Sequence, residues 1–208
     1  MRLRELIIVA VVGLGPAIAH ADDTQDRYRA SYQHEAQGKY AKALSDIDGL
    51  SKGERKTYVY QLRRGWLLYL LGRHWDSIEA YRAAIKLKPK AVEPRLGLML
   101  PEMALLMWLD ALETGNGVLK LDPLNYLANS RMAWANYSLG RFDKAEALYR
   151  KLVDAYPSDV EMRTGLGWSL LKQGRYTSAL SEFDAVLKLS PDYTIADEGR
   201  KAARAGLR

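Results

Sequence analysis

The sequence predicts an all-α protein, a solenoid of five helix-turn-helix repeats of 34 residues each, on three observations. Proline recurs with this period, at Pro89, Pro123, Pro157 and Pro191. Glycine recurs with the same period, at Gly38, Gly72, Gly140 and Gly174. Two residues after each glycine position stands a ring: Tyr40, His74, Trp108, Phe142 and Tyr176. Because all three kinds of residue recur with the same period, the repeat determines the predicted architecture without any argument from single residues.

These markers set the register of the repeats without any insertion. The repeats are 24–57, 58–91, 92–125, 126–159 and 160–193. Each glycine is expected in the turn between two helices, because glycine adopts a positive φ without strain. Each proline is expected to end the second helix, because the residue before proline disfavours the helical region. Small residues near the rings and on the first helices, such as Ala145 and Gly167, let the paired helices approach closely.

The two ends of the chain depart from the repeat. Residues 1–21 combine two arginines, an apolar run and an Ala-His-Ala ending, which predicts a secretory signal peptide cleaved after Ala21. The apolar run is shorter than the roughly 20 residues that span a bilayer, so residues 22–208 are expected to form one folded domain in a bacterial periplasm, with no membrane span. Residues 194–208 interleave alanine with basic residues and are expected to form a capping helix.

Composition excludes several classes of function. The chain has no cysteine, which excludes disulfides, thiolate nucleophiles and cysteine metal sites. Its net charge of +6 is spread through helices instead of forming runs, so no nucleic acid partner is expected. The sequence has no HExxH, GxSxG or GKS/T motif, and His34 and His74 stand at repeat positions that face other helices. We therefore expect a protein that is not an enzyme and has no cofactor.

The third repeat departs most from the pattern. Pro101 falls within its first helix, Leu106 takes the turn-glycine position, and Gly115 and Gly117 fall within its second helix. An interior proline costs about 3 kcal/mol and an interior glycine about 1, so these helices are expected to be kinked or short, with burial of the apolar run 99–109 as the offset. Two interpretations stay open: a hinge or partner-shaped notch, and a repeat that has drifted without a function.

Three methionines of this repeat, Met99, Met103 and Met107, are spaced by four residues and would share one helix face. Thioethers at such spacing suggest a copper site in an exported protein. Methionine also fills irregular cores, Pro101 breaks the helix geometry, and no histidine is close by in the sequence. Packing is therefore the preferred interpretation, and no metal is expected.

The segment 166–176, LGWSLLKQGRY, followed by Ala179, Phe183 and Pro191, resembles the tetratricopeptide repeat family, as an exported bacterial member. The resemblance implies a right-handed superhelix whose first helices line a concave groove that holds a peptide or a partner protein. It also implies that the ninth and twelfth positions of each first helix face this groove. Large side chains recur at both positions, and arginines recur at the sixth position close by.

The predicted partner-binding residues are therefore aromatic or basic: Tyr32, Arg63, Trp66, Tyr69, Arg131, Trp134, Tyr137 and Trp168. Trp, Tyr and Arg concentrate binding energy at interfaces. The alternative is that the rings pack between adjacent hairpins. The leading hypothesis is a non-catalytic protein-interaction scaffold within an envelope or secretion assembly. The second is a glycan-binding accessory protein of polysaccharide export, because aromatic rings stack on sugars.

Overall fold

A computed structural model describes the backbone from Gly15 to Arg208 and the side chains from Asp23. The predicted signal peptide, residues 1–21, lies outside the residues with described side chains and stays a prediction. Within the described range the regular structure consists of eleven α-helices and one 3₁₀ helix, which confirms the predicted all-α class. None of the helices in this range is long and apolar enough to cross a membrane. The described residues divide into two compact units, one that ends at Lys56 and one that comprises Thr57–Arg208.

The first unit contains one helical hairpin. Helix α1 (Gly15–Ala36) packs against α2 (Tyr40–Asp48), and the 3₁₀ helix Glu54–Lys56 follows. Gly38 makes the turn between them with a φ of 70°. Nδ1 of His34 lies 2.7 Å from Oδ2 of Asp46, a contact that joins the two helices. His34 is half-buried, as its repeat position predicts.

The second unit continues as four helical hairpins and a final helix. Its helices are α3 (Tyr58–Leu70), α4 (His74–Leu87), α5 (Glu93–Ala104), α6 (Trp108–Leu119), α7 (Tyr126–Ser138), α8 (Phe142–Ala155), α9 (Val160–Lys172), α10 (Tyr176–Leu189) and α11 (Thr194–Gly206). Every odd-numbered helix up to α9 pairs with the helix that follows it. Gly72, Gly140 and Gly174 turn these hairpins with φ between 71° and 74°.

These hairpins form two layers. Each odd-numbered helix contacts the next odd-numbered helix, from α3 through to α11, and each even-numbered helix packs against the odd-numbered helices on either side. The odd-numbered helices therefore form an inner layer, and α4, α6, α8 and α10 form an outer layer. Helix α11 covers α9 and α10 through a face of small buried residues, Ala196, Gly199 and Ala203.

Rings from the outer layer fill the core by packing into glycine notches on the inner helices. Phe183 of α10, fully buried, lies between Gly167 of its own hairpin and Gly199 of α11. A Cβ atom at Gly199 would lie 2.3 Å from this ring, closer than real Cβ contacts come. Tyr81 packs in the same way against Gly65 and Gly97. Each such ring thus connects one hairpin to the next.

The third hairpin, α5–α6, reverses these sizes. Gly115 of α6 stands at the repeat position that Tyr81 and Phe183 hold in their helices. Met99 of α5, fully buried, stands at the repeat position of Gly65 and Gly167. A Cβ at Gly115 would lie 2.6 Å from Sδ of Met132 and 3.0 Å from Cε of Met99. The interior glycine is therefore a site of close approach, and the methionine side chains fill the volume that a ring fills elsewhere.

The expected shortening of this hairpin is small. Helices α5 and α6 have 12 residues each, against 13 for α3, α7 and α9 and 14 for α4, α8 and α10. Leu106 takes the left-handed turn conformation of the glycines, with a φ of 58°. The prediction that the three methionines share one helix face is wrong, because α5 ends at Ala104 and Met107 precedes α6.

A candidate partner-binding cleft

A cleft of about 430 Å³ opens on the inner layer of the second unit, between α7, α9 and the start of α11. Its lining is mainly aromatic: Trp134, Tyr137, Tyr149, Glu161, Thr164, Gly165, Trp168, Tyr193 and Ile195. Among these described lining residues there is no Lys, Arg or His. A cavity of this size with a few polar groups among rings is typical of a ligand or peptide site.

Two stacked rings from α7 form one wall. The rings of Trp134 and Tyr137 lie 5.7 Å apart between centroids and 10° from parallel. The buried face of α7 is made of smaller residues such as Ala133 and Asn136, so the indole of Trp134 projects on the other side and is 49% exposed. Tyr137 is held from behind by an edge contact with Phe142, with centroids 5.3 Å apart.

The floor is a ring of the outer layer. Tyr149 of α8 reaches the cleft against Gly165 of α9, where a Cβ atom would lie 2.5 Å from the tyrosine ring. Burial raises the pKa of both Tyr149 and Tyr137, so both are neutral near pH 7. The opposite wall is Trp168, whose ring makes an edge contact with the core ring Phe183 at 5.7 Å. Both walls are thus supported by a second ring, the partly buried Phe142 behind Tyr137 and the buried Phe183 behind Trp168.

The rim carries the polar groups. Asp159 caps α9, because its Oδ1 accepts hydrogen bonds from the amides of Glu161 and Met162 at 3.1 and 3.0 Å. Its Oδ2 accepts a hydrogen bond from the hydroxyl of Tyr126 at 2.5 Å. Glu161 is exposed at the rim, and no ion pair of the described residues includes it. Burial, and then the negative charges of Glu161 and Asp159, raise the pKa of Tyr193.

The structure brings three of the predicted binding residues together in this cleft: Trp134, Tyr137 and Trp168. Trp66 and Tyr69 lie on α3 with ring centroids 5.8 Å apart and do not line it. Trp66 is partly buried against the cluster of Ile78, Tyr81 and Leu98, as the inter-hairpin alternative describes. Tyr32 belongs to the first unit, where it is 56% exposed.

The two predicted arginines occupy packed positions. Arg63 is only 6% exposed. Nη1 of Arg131 donates a hydrogen bond to the backbone carbonyl of Leu96 at 2.5 Å, and burial lowers the pKa of its guanidinium. Both stand at the inner-helix position that glycine holds in α5, α9 and α11: Gly97, Gly165 and Gly199. Their guanidinium groups therefore contribute mainly to packing between helices.

Sequence reasoning missed the floor and the rim of the cleft. Groove positions were taken from first helices alone, whereas the buried Tyr149 comes from a second helix and reaches the cleft because Gly165 has no side chain. A signal for this was present in the sequence. Tyr81, Tyr149 and Phe183 recur with the repeat period, and each is followed 16 residues later by a glycine.

Comparison with known proteins defines the class. The sequence profile of the tetratricopeptide repeat matches residues 28–92, 109–160 and 130–194, more than half of the chain. The chain therefore belongs to the tetratricopeptide repeat family, whose fold serves as a scaffold for protein–protein interaction.

Individual relatives are distant. The chain is 30% identical over 126 residues to the BBSome complex member BBS4 of Bos taurus, a match that spans 60% of this chain and 24% of that protein. A tetratricopeptide repeat protein from Parabacteroides merdae superposes with a TM-score of 0.80 at 17% identity, over 89% of this chain and 74% of that one. MamA from Desulfovibrio magneticus superposes with a TM-score of 0.76 at 17% identity, over 83% and 97%. At these identities the solved structures are evidence for the fold alone.

Proposed function

We propose that this protein is a non-catalytic scaffold of the bacterial periplasm that holds a segment of a partner protein in its aromatic cleft, within an envelope or secretion assembly. The observation that supports cleft binding most is Trp134. Its indole is 49% exposed at the edge of a preformed apolar cavity, which Tyr137 and Trp168 also line. An exposed apolar patch of this kind on a soluble protein marks an interaction site.

The geometry of the cleft favours high-affinity binding of a few partner side chains. Its volume of about 430 Å³ suits one or two large side chains of a peptide. Tyr137 is braced by Phe142, and Trp168 is braced by Phe183, so the walls are ordered before a partner arrives. Binding to an ordered site costs less conformational entropy than binding that must first order its side chains.

The proposed periplasmic location rests on the sequence of residues 1–21. It is tested by fractionation of the producing cells and by N-terminal sequencing of the accumulated protein. We expect a periplasmic protein that begins at Asp22. A washed-membrane protein that still begins at Met1 would contradict this part of the proposal.

Glycan binding is the second candidate, favoured by the exposed indole face of Trp134, on which a sugar ring could stack. Sugars also need several hydrogen-bonding partners. Apart from the tyrosine hydroxyls and the indole N–H groups of the two tryptophans, the lining side chains offer only Glu161 and Thr164, and Thr164 already donates its hydroxyl to the carbonyl of Val160 at 2.6 Å. The lining therefore favours a peptide.

The test uses peptides selected from a displayed random library on the wild-type chain. Trp134→Ala is expected to weaken their binding by about 30-fold or more, which corresponds to roughly 2 kcal/mol for a central aromatic contact. Trp75→Ala is the matched control, because Trp75 is also exposed, at 64%, but lies on α4 of the outer layer. Melting temperatures of both variants should stay close to wild type.

The outcomes separate the candidates. Selected peptides that bind Trp134→Ala as tightly as wild type would exclude this cleft as the protein-binding site. Oligosaccharides from a glycan array that bind wild type and lose affinity in Trp134→Ala, in the absence of any cleft-dependent peptide, would favour the second candidate.

A further inference from the structure

The charge at the cleft has the opposite sign to the charge of the chain. The whole chain has a net charge of +6, yet the described lining has no basic residue and includes the carboxylate of Glu161. Some acidic residues of this unit are paired with arginine. Glu146 pairs with Arg150 and Arg175 at 2.7 Å each, whereas Glu161 is in no ion pair of the described residues. An incoming cation would therefore meet an available counter-charge here.

The rings around Glu161 add to this preference. The face of an aromatic ring carries negative electrostatic potential and attracts cations, most strongly for Trp. Trp134, Tyr137, Trp168 and Tyr193 all line the cleft. The negative charges of Glu161 and Asp159 already contribute to the raised pKa of Tyr193, so their field reaches the cleft wall.

We propose that the cleft accepts the side chain of one arginine or lysine of the partner segment, its cationic head between the indole of Trp134 and the carboxylate of Glu161. The aliphatic stem would pack against Ile195 and Trp168, as long basic side chains do on apolar surfaces. Arginine fits best because its planar guanidinium stacks on rings and pairs with a carboxylate. This inference rests on the proposed function and specifies the chemistry that the partner presents.

The experiment is a titration followed by NMR of the chain with ¹⁵N-labelled tryptophan. The probes are acetyl-arginine amide and acetyl-citrulline amide, which have nearly the same shape and differ in charge. We expect the arginine probe to shift the indole signals of Trp134 and Trp168 in a saturable way, and to bind about fivefold or more tightly than the citrulline probe. Glu161→Gln should remove most of this difference.

The matched control is Glu198→Gln, another exposed glutamate of the same unit that does not line the cleft. It should leave the preference for arginine unchanged. Equal binding of both probes, no shift of the Trp134 signal, or an unchanged preference in Glu161→Gln would each overturn this inference. If Trp134→Ala releases the library peptides, the proposed function stands even when this inference fails. If Trp134→Ala does not release them, the proposed function and this inference both fail.

Discussion

The third and fifth hairpins fill the same layer of the core in opposite ways: the large side chain is on the outer helix in one hairpin and on the inner helices in the other. In α9–α10 the outer helix supplies the ring of Phe183, and the inner helices supply Gly167 and Gly199. In α5–α6 the outer helix supplies Gly115, and the inner helices supply Met99 and Met132. The comparison teaches that the repeat constrains the total volume at each interface more strictly than the residue at each position, as close-packed interiors require.

The largest expected effect is loss of a ring from its notch. Phe183→Ala should lower the free energy of unfolding by about 3–5 kcal/mol, because the buried ring leaves a cavity between two helices. Chemical denaturation of the purified chain measures this. Trp75→Ala, which removes a ring that is 64% exposed, should change it by less than about 0.5 kcal/mol. Similar losses for both variants would contradict the role assigned to the notch.

The size exchange in the third hairpin predicts coupling between its two helices. Gly115→Phe alone should cost about 1–3 kcal/mol through overpacking against Met132 and Met99. Combined with Met99→Gly, which opens the notch, it should cost at least about 1 kcal/mol less than the sum of the two single changes. Combined with Leu170→Ala in the fifth hairpin, the costs should add. Strict additivity for the first pair would refute the exchange.

A buried carboxyl gives the third hairpin a pH dependence, at a position where the fifth hairpin has an apolar side chain. Glu102 is 2% exposed and stands at the repeat position of buried Leu170. The pKa of Glu102 is raised from 4.5 to about 7, chiefly by burial and to a smaller extent by the charges of Asp110 and Glu113, while a hydrogen bond donated by Thr114 and the charge of Arg82 oppose the rise. Because the folded state then holds this proton more tightly, the contribution of Glu102 to stability falls as pH rises from 4.5 through 7.

Glu102→Gln should remove this dependence. Relative to the variant, the wild type should lose roughly 1–3 kcal/mol of unfolding free energy between pH 4.5 and pH 8. Denaturation at several pH values measures the difference. Glu198→Gln is the control, because Glu198 is an exposed glutamate of the same unit that does not contribute to the shift at Glu102. A wild-type curve parallel to that of Glu102→Gln would show that Glu102 stays ionised in the fold.

The smallest expected effect concerns the turns. Leu106 and Gly174 hold the same turn position with φ of 58° and 74°. Leu106→Gly should stabilise the chain by about 1 kcal/mol, because glycine removes the left-handed strain and Leu106 is 67% exposed. Gly174→Ala should destabilise it by a similar amount, because alanine is strained at this positive φ. No clash adds to this cost, since the new Cβ would have no atom within 4 Å. Thermal unfolding of both variants checks the opposite signs.

Periodicity predicted the fold because glycine and proline act on the backbone locally, and each repeat shows them in the same place. The cleft was predicted in part. Trp134 and Trp168 were found because the family resemblance implies which positions of a first helix face the groove. How deeply each side chain is buried was not predicted, because burial depends on the side chains of the adjacent helices. Arg131 is packed against a neighbouring helix, and Tyr149 is reachable only through the missing side chain of Gly165.

The packing of Gly115 against two thioethers has a mechanical consequence. An aromatic side chain held between two glycines is rigid, because it has few rotatable bonds. Methionine has three rotatable bonds and changes its conformation at low cost. We therefore expect stiffness to vary along the second unit, with the junction of α5, α6 and α7 more compliant than the hairpins that hold a ring between glycines. When a bound segment pulls the inner helices together, we expect the change in curvature to concentrate at this junction while the neighbouring hairpins move as rigid bodies.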